Sequence, residues 1–175
     1  MSTTAELEAR VRALEERLHA VEGRQAIENL KARYGELADR RYRRGGGVVD
    51  SDELARVARE IGALFTEDAV WDGGATLGLC EGRAAIVERM AQPTLQFAWH
   101  YFLKPQIAVD GDTARATWDV LAPCTTTDGR AHWMAGVEED EYRRVDGTWL
   151  HSRMRLDPVF FAPYDRGWGR QQRRD

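Results

Sequence analysis

The strongest constraint on this chain is a change of hydrophobic period near residue 64. Before that point apolar residues recur every three or four positions; after it they alternate with polar ones in short runs. Leu7, Val11, Leu14, Leu18 and Val21 step by four, three, four and three, the a/d pattern of a coiled coil, with Arg and Glu filling most positions between. Such a helix either folds onto its own domain or forms a contact between subunits. Gly23 marks a break, and a second helix is expected from about 24 to 41, with Ile27, Leu30, Tyr34, Leu37 and Ala38 as its apolar face. The run from Arg40 to Gly47 reads as a flexible, solvated basic loop whose spacing fits no P-loop. A third helix begins near Ser51 or Asp52 and carries Leu54, Val57, Ile61 and Leu64.

The second half reads as sheet. Strands are expected at 68–72, 98–103, 106–109, 114–121, 132–145 and 149–156, with a short helix at 82–90. Asp110-Gly111 and Asp146-Gly147 are hairpin turn signals. Helices first and a meandering antiparallel sheet afterwards make an α+β fold, in which a curved sheet wrapped around a helix leaves a cone-shaped pocket.

With 175 residues, the chain is long enough for one domain with a real core. Its net charge of −4 and pI near 5.6 argue against nucleic acid as a partner. No apolar run is long enough for a transmembrane helix, so no membrane partner is expected. The N-terminus is charged from Glu6 onward and lacks a signal core. Cys80 and Cys124 form neither a CxxC pair nor a disulfide framework, and the expectation is a reduced, cytoplasmic protein. No HxH, HExxH, GxSxG or dinucleotide fingerprint occurs, so neither a metal nor any other cofactor is expected.

What remains is His100, set in the aromatic run from Phe97 to Phe102. A histidine among apolar strand residues must satisfy its ring nitrogens or be poised to move a proton. A carboxylate against one nitrogen fixes the tautomer and raises the basicity of the other. Asp39, at the end of the second helix, can supply it, though Arg40 and Arg43 compete for the same carboxylate. Tyr34 lies about 140° around the helix from Asp39, so the two share a pocket only at a frayed or bent helix end.

Several strings carry a resemblance: Ala26–Tyr34, Leu64–Trp71, Gly82–Ile86 and Asp140–Trp149. In order and spacing they resemble the SnoaL-like branch of the nuclear transport factor two superfamily, across roughly Arg24 to Leu156. The resemblance implies a cystatin-like, cone-shaped barrel spanning 23–158, an extra N-terminal helix at 1–22 and an aromatic tail at 159–175. Within the superfamily the chain is most similar to bile-acid dehydratase, scytalone dehydratase and hexachlorocyclohexane dehydrochlorinase. That similarity implies a cofactor-independent lyase with His100 as base, Asp39 orienting it and Tyr34 assisting the leaving group or an enolate. It also implies substrate contacts from Asp119 and from Arg153 or Arg155. An isomerase, a polyketide cyclase or a non-catalytic binding module shares the same frame.

Trp71, Phe97, Trp99, Tyr101, Phe102, Trp118 and Trp133 all lie on sheet segments. Those facing inward, with Trp118 and Phe102 foremost, favour a hydrophobic cyclic ligand. The tail from Val159 to Trp168 is expected to cover the pocket mouth or a neighbouring subunit. His132 and His151 have the parity of interior residues but are expected at the surface. A homo-oligomer, trimer or dimer, is expected from the relatives.

Overall fold

The computed structural model describes residues 3–170. Its first helix, α1 (Thr4–Asp39), starts at a capping box: Thr3 Oγ1 accepts from the Glu6 amide at 3.3 Å, and the Glu6 carboxylate accepts from the Thr3 amide at 2.8 Å. The helix runs through Gly23 without a break, contrary to the expectation. Gly23 is buried because Val109 and Trp149 press on it; a Cβ there would lie 3.2 Å from Val109 Cγ1. The glycine marks a close approach of helix to sheet rather than a helix end. A second helix, α2 (Ser51–Gly62), is capped by Asp50, whose side chain accepts from the Glu53 amide at 3.0 Å.

The loop between them is more ordered than the sequence suggested. Gly45, Gly46 and Gly47 all have positive φ, and the Arg43 amide donates to the Gly47 carbonyl at 2.8 Å. That turn folds Tyr42 inward, where it is buried and bridges to Val48.

Seven strands follow: β1 (Phe65–Asp72), β2 (Leu79–Glu81), β3 (Phe97–Ala98), β4 (Tyr101–Asp110), β5 (Thr113–Thr125), β6 (Ala131–Val145) and β7 (Thr148–Pro163). Two short helices, α3 (Gly74–Leu77) and α4 (Arg83–Met90), lie among the first of them. The sheet order is β2-β1-β7-β6-β5, with β3 and β4 both paired to β5. Neighbours are antiparallel except β1 and β7, which run parallel, so the sheet is mixed rather than wholly antiparallel. The two segments expected at 98–103 and 106–109 are rearranged: β4 is continuous across a bulge at Lys104, whose φ is 50°. Asp146 and Gly147, both at positive φ, close the β6–β7 hairpin with the twist a two-residue turn requires.

Alternation along β5 separates the two faces. Ala114, Ala116, Trp118, Val120, Ala122 and Cys124 are buried, while Arg115, Thr117 and Asp119 point away. The buried face curls around α1. Ile27 packs with Ala114, Ala116, Trp118, Tyr142 and Trp149, and Tyr34 and Leu37 pack with Val57, Ile61, Phe65, Trp71 and Met154. Fully burying a side chain such as Ile27, Leu37 or Phe65 contributes about 1.5–3 kcal/mol. Phe102 touches both clusters and ties the two halves together.

Residues 159–163, expected as the start of a tail, extend β7 and pair with β6; Phe160 then stacks on Trp168 at 5.4 Å. Of the expected tail, residues 171–175 lie outside the described residues. Among those described, no helix is long and apolar enough to cross a membrane.

Candidate active site

Asp39 is the last residue of α1, and His100 sits between β3 and β4 on the strand parity of Phe102. The helix end delivers the carboxylate to the strand edge. Asp39 Oδ1 lies 2.7 Å from His100 Nδ1 and also accepts the His100 backbone N–H at 3.0 Å. One oxygen accepting both donors puts the ring proton on Nδ1 and leaves Nε2 with its lone pair. No described residue hydrogen-bonds to Nε2. The pair is partly open: the side chains are 18% and 10% exposed. Of the competing arginines, Arg40 pairs with Glu53 and Glu60, and among the described residues neither Arg40 nor Arg43 forms an ion pair with Asp39.

Tyr34 belongs to the same region without touching the dyad. Phe102 lies between them, its ring 6.2 Å from His100 and nearly parallel to it, and 6.0 Å from Tyr34. The Tyr34 hydroxyl accepts from Trp71 Nε1 at 3.4 Å. Burial, with Glu138 adding, pushes its pKa up to about 12, so it keeps its proton and remains a hydrogen-bond donor.

One turn deeper lies a group that the sequence reading missed. Lys31 is buried and donates to Glu138 and to Asp140 Oδ2, the latter at 2.8 Å. Tyr142 donates to the same Asp140 oxygen at 2.7 Å, and Trp118 Nε1 donates to the Tyr142 hydroxyl at 3.1 Å. Burial pulls the Lys31 ammonium down, but Asp140 and Glu138 outweigh it and hold its pKa above the ordinary lysine value. Burial raises Glu138 despite Lys31, and His100 lies within its electrostatic reach. Tyr142 is pushed well up by burial and by Asp140.

His151, expected at the surface, is fully buried beside this group. Its ring stacks on Phe65 at 5.0 Å, and its Nδ1 is 3.9 Å from Asp140 Oδ2, too far for a hydrogen bond. Among the described residues neither ring nitrogen has a hydrogen-bond partner, and burial, with Lys31 adding, holds its pKa well below the usual value. A signal for the cluster was present: Glu138 and Asp140 share strand parity with Tyr142, and Lys31 falls in the helical row of Ile27 and Tyr34.

The remaining expected contacts divide by face. Trp118 and Phe102 are on the inner wall, Phe102 with the Lys31 ammonium 4.3 Å above its ring. Asp119 is on the outer face, paired with Lys104. Arg153 and Arg155 are outside as well, because Met154 between them is the residue that faces in. Both line an open groove of about 630 Å³ on the outer sheet face, where Arg155 pairs with Glu139 at 3.3 Å. None of these three reaches the space around His100. His132 Nδ1 donates to the Arg130 carbonyl at 3.1 Å and its ring stacks on Phe161, away from the dyad.

Comparisons with known proteins agree with this fold. A hexachlorocyclohexane dehydrochlorinase superposes with a TM-score of 0.67 at 20% identity, covering 82% of this chain and 89% of the other. A candidate scytalone dehydratase from Novosphingobium aromaticivorans gives 0.66 at 22% identity, with 82% and 89% covered. A nuclear-transport-factor-two-like protein with a cystatin-like fold, from the same organism, gives 0.61 at 25% identity, with 91% and 92% covered. No curated protein sequence matches the chain. The family model described as the SnoaL-like domain matches residues 19–155, from the last turns of the helical arm to the middle of β7. A curled sheet around α1 and a match over most of the length lead to one statement: this chain belongs to the SnoaL-like domain family.

Proposed function

We propose that the protein is a cofactor-independent lyase, of the dehydratase or dehydrohalogenase type, acting on a hydrophobic cyclic small molecule. The observation that carries this reading is the 2.7 Å contact between Asp39 Oδ1 and His100 Nδ1, made by a carboxylate that also anchors the histidine's backbone. A neutral imidazole has its ordinary pKa near the operating pH of a cell, which suits a general base. His100 Nε2 takes a proton from a ring carbon, and that C–H electron pair becomes the new C=C bond. Hydroxide, protonated as it departs, or halide leaves from the adjacent carbon. Asp39 stabilises the imidazolium, as the carboxylate of a hydrolase triad does.

Tyr34, which keeps its proton, is the candidate donor to a departing oxygen or an enolate, and Phe102 and Trp118 supply apolar wall. The dehydrochlorinase and the candidate dehydratase among the structural neighbours favour elimination over isomerisation or cyclisation, which begin with the same proton abstraction. Asp119, Arg153 and Arg155 take no part, because they face the other side of the sheet.

The test is a panel of hydroxylated and halogenated cyclic compounds, assayed for alkene formation. Turnover should fall about 10²–10⁴-fold in His100→Ala while ligand binding persists. Nitrogen-15 NMR of the wild type should show His100 as the Nδ1–H tautomer. Unchanged turnover in His100→Ala, or an Nε2–H tautomer, would overturn the proposal.

A further inference from the structure

The helical arm that precedes the domain carries a second pattern. Every described residue of α1 up to Leu18 is exposed, and Leu7, Val11, Leu14, Leu18 and Val21 are each more than half exposed, so the stripe does not fold onto its own domain. An isolated helix of this length is marginal in water, and this one presents five large apolar side chains in a single row.

The flanking charges are sorted by sign. With Val11 and Leu18 at position a, and Leu7, Leu14 and Val21 at d, the e positions are Glu8, Glu15 and Glu22. The g positions are Arg10, Arg17 and Arg24. In a parallel pair of helices, g of one copy meets the following e of the other. Arg10 then faces Glu15 and Arg17 faces Glu22, on both flanks of the seam. In an antiparallel pair g meets g and e meets e, which sets arginine against arginine and glutamate against glutamate. The charge order therefore selects one orientation.

The seam also points the right way. Leu18 and Ile27 are nine residues apart on one continuous helix, which places them ~180° from each other. Ile27, with Gly23, Lys31 and Tyr34, is on the face that docks into the sheet. Two copies joined along the stripe carry their domains on the outer flanks, clear of one another. The pattern stops where the domain begins: the next a and d positions are Gln25 and Glu28.

We infer that residues 4–22 pair with the same segment of a second copy of this chain as a parallel, in-register coiled coil.

Disulfide trapping in the full chain tests this, with the buried Cys80 and Cys124 left in place. Leu7→Cys lies at one end of the seam, so only a parallel, in-register pair brings the two copies of this position together. Ala9→Cys is on the outward side of the arm and is the control. Under mild oxidation Leu7→Cys should cross-link at least about tenfold faster than Ala9→Cys. Adding Arg10→Glu and Arg17→Glu should slow Leu7→Cys trapping, and adding Glu15→Arg and Glu22→Arg as well should restore it. Equal rates for Leu7→Cys and Ala9→Cys would overturn the inference. So would preferential Leu7→Cys to Leu18→Cys trapping in a mixture of the two variants, which is the antiparallel product.

Discussion

Two polar groupings lie a few side chains apart, Lys31 with Glu138 and Asp140, and Asp39 with His100, and they differ in how far solvent reaches them. Lys31 with Glu138 and Asp140 is sealed: the three side chains are 1%, 9% and 0% exposed. Asp39 with His100 stands at the edge of the helix, where solvent or a ligand reaches the ring. A sealed ion cluster cannot exchange charge with a substrate; removing one member strands the others in a low-dielectric interior. A partly open dyad loses little if its charge is altered and can pass a proton outward. Under the proposed function the inner cluster supports the fold and the outer pair carries the chemistry.

Lys31→Met should give the largest change. It leaves Glu138 and Asp140 buried without their cation, at a cost of about 3–5 kcal/mol in urea unfolding. Asp39→Asn keeps an acceptor for the His100 backbone N–H and should cost only about 1 kcal/mol, while turnover collapses with the lost imidazolium partner. If Asp39→Asn proves as destabilising as Lys31→Met, the contrast between the two sites fails.

A pH titration of stability sharpens the same comparison. His151 is buried among Lys31, Asp140, Tyr142 and Tyr34, and its folded pKa lies well below the ordinary 6.5. Between those two values the unfolded chain holds the extra proton, so stability is full above pH 6.5 and declines as the pH falls beneath it. The limiting slope is about 1.4 kcal/mol per pH unit. Glu138 works in the opposite sense, since its raised pKa makes the folded state hold the extra proton above 4.5. His151→Phe keeps a ring against Phe65 and removes the titration. Its melting temperature should be visibly flatter than the wild type's from pH 6.5 to 5. An identical pH dependence in the wild type and His151→Phe would show that His151 charges without cost.

Much of this was legible from residue pattern. The switch of period marked helices then sheet, and the family resemblance pointed to Asp39 as the partner of His100, from which it lies 2.7 Å away. What was not legible is instructive. Gly23 has the composition of a break, yet tertiary packing against Val109 and Trp149 makes it a contact. The parallel β1–β7 pair needs the path of the whole chain, which no local signal contains. Arg153 and Arg155 were placed by nearness to a family position, but alternation around Met154 turns both outward. Lys31 and Glu138 went unnoticed because charged residues are ordinarily solvated; parity and helical row marked each as inward, but only the fold brings them together across 107 positions.

The smallest expected effect tests the division into faces directly. Asp119 was a pocket candidate from sequence, and on β5 it alternates with Trp118 and Val120, which are both buried. The ion pair it makes with Lys104 joins side chains that are 42% and 78% exposed. Water and salt screen such a pair, which is worth about 0–1 kcal/mol and less as ionic strength rises. Asp119→Asn should therefore change unfolding by less than about 1 kcal/mol and leave kcat/KM within twofold of the wild type. Trp118→Phe, one residue away, removes a buried N–H that donates to Tyr142 and should cost more, about 1–3 kcal/mol for the acceptor left unsatisfied. Adjacent residues with unequal consequences are what a strand with one wet and one dry face requires. A loss of turnover in Asp119→Asn comparable to that in His100→Ala would place the reacting molecule on the outer face and reverse the assignment of the two surfaces.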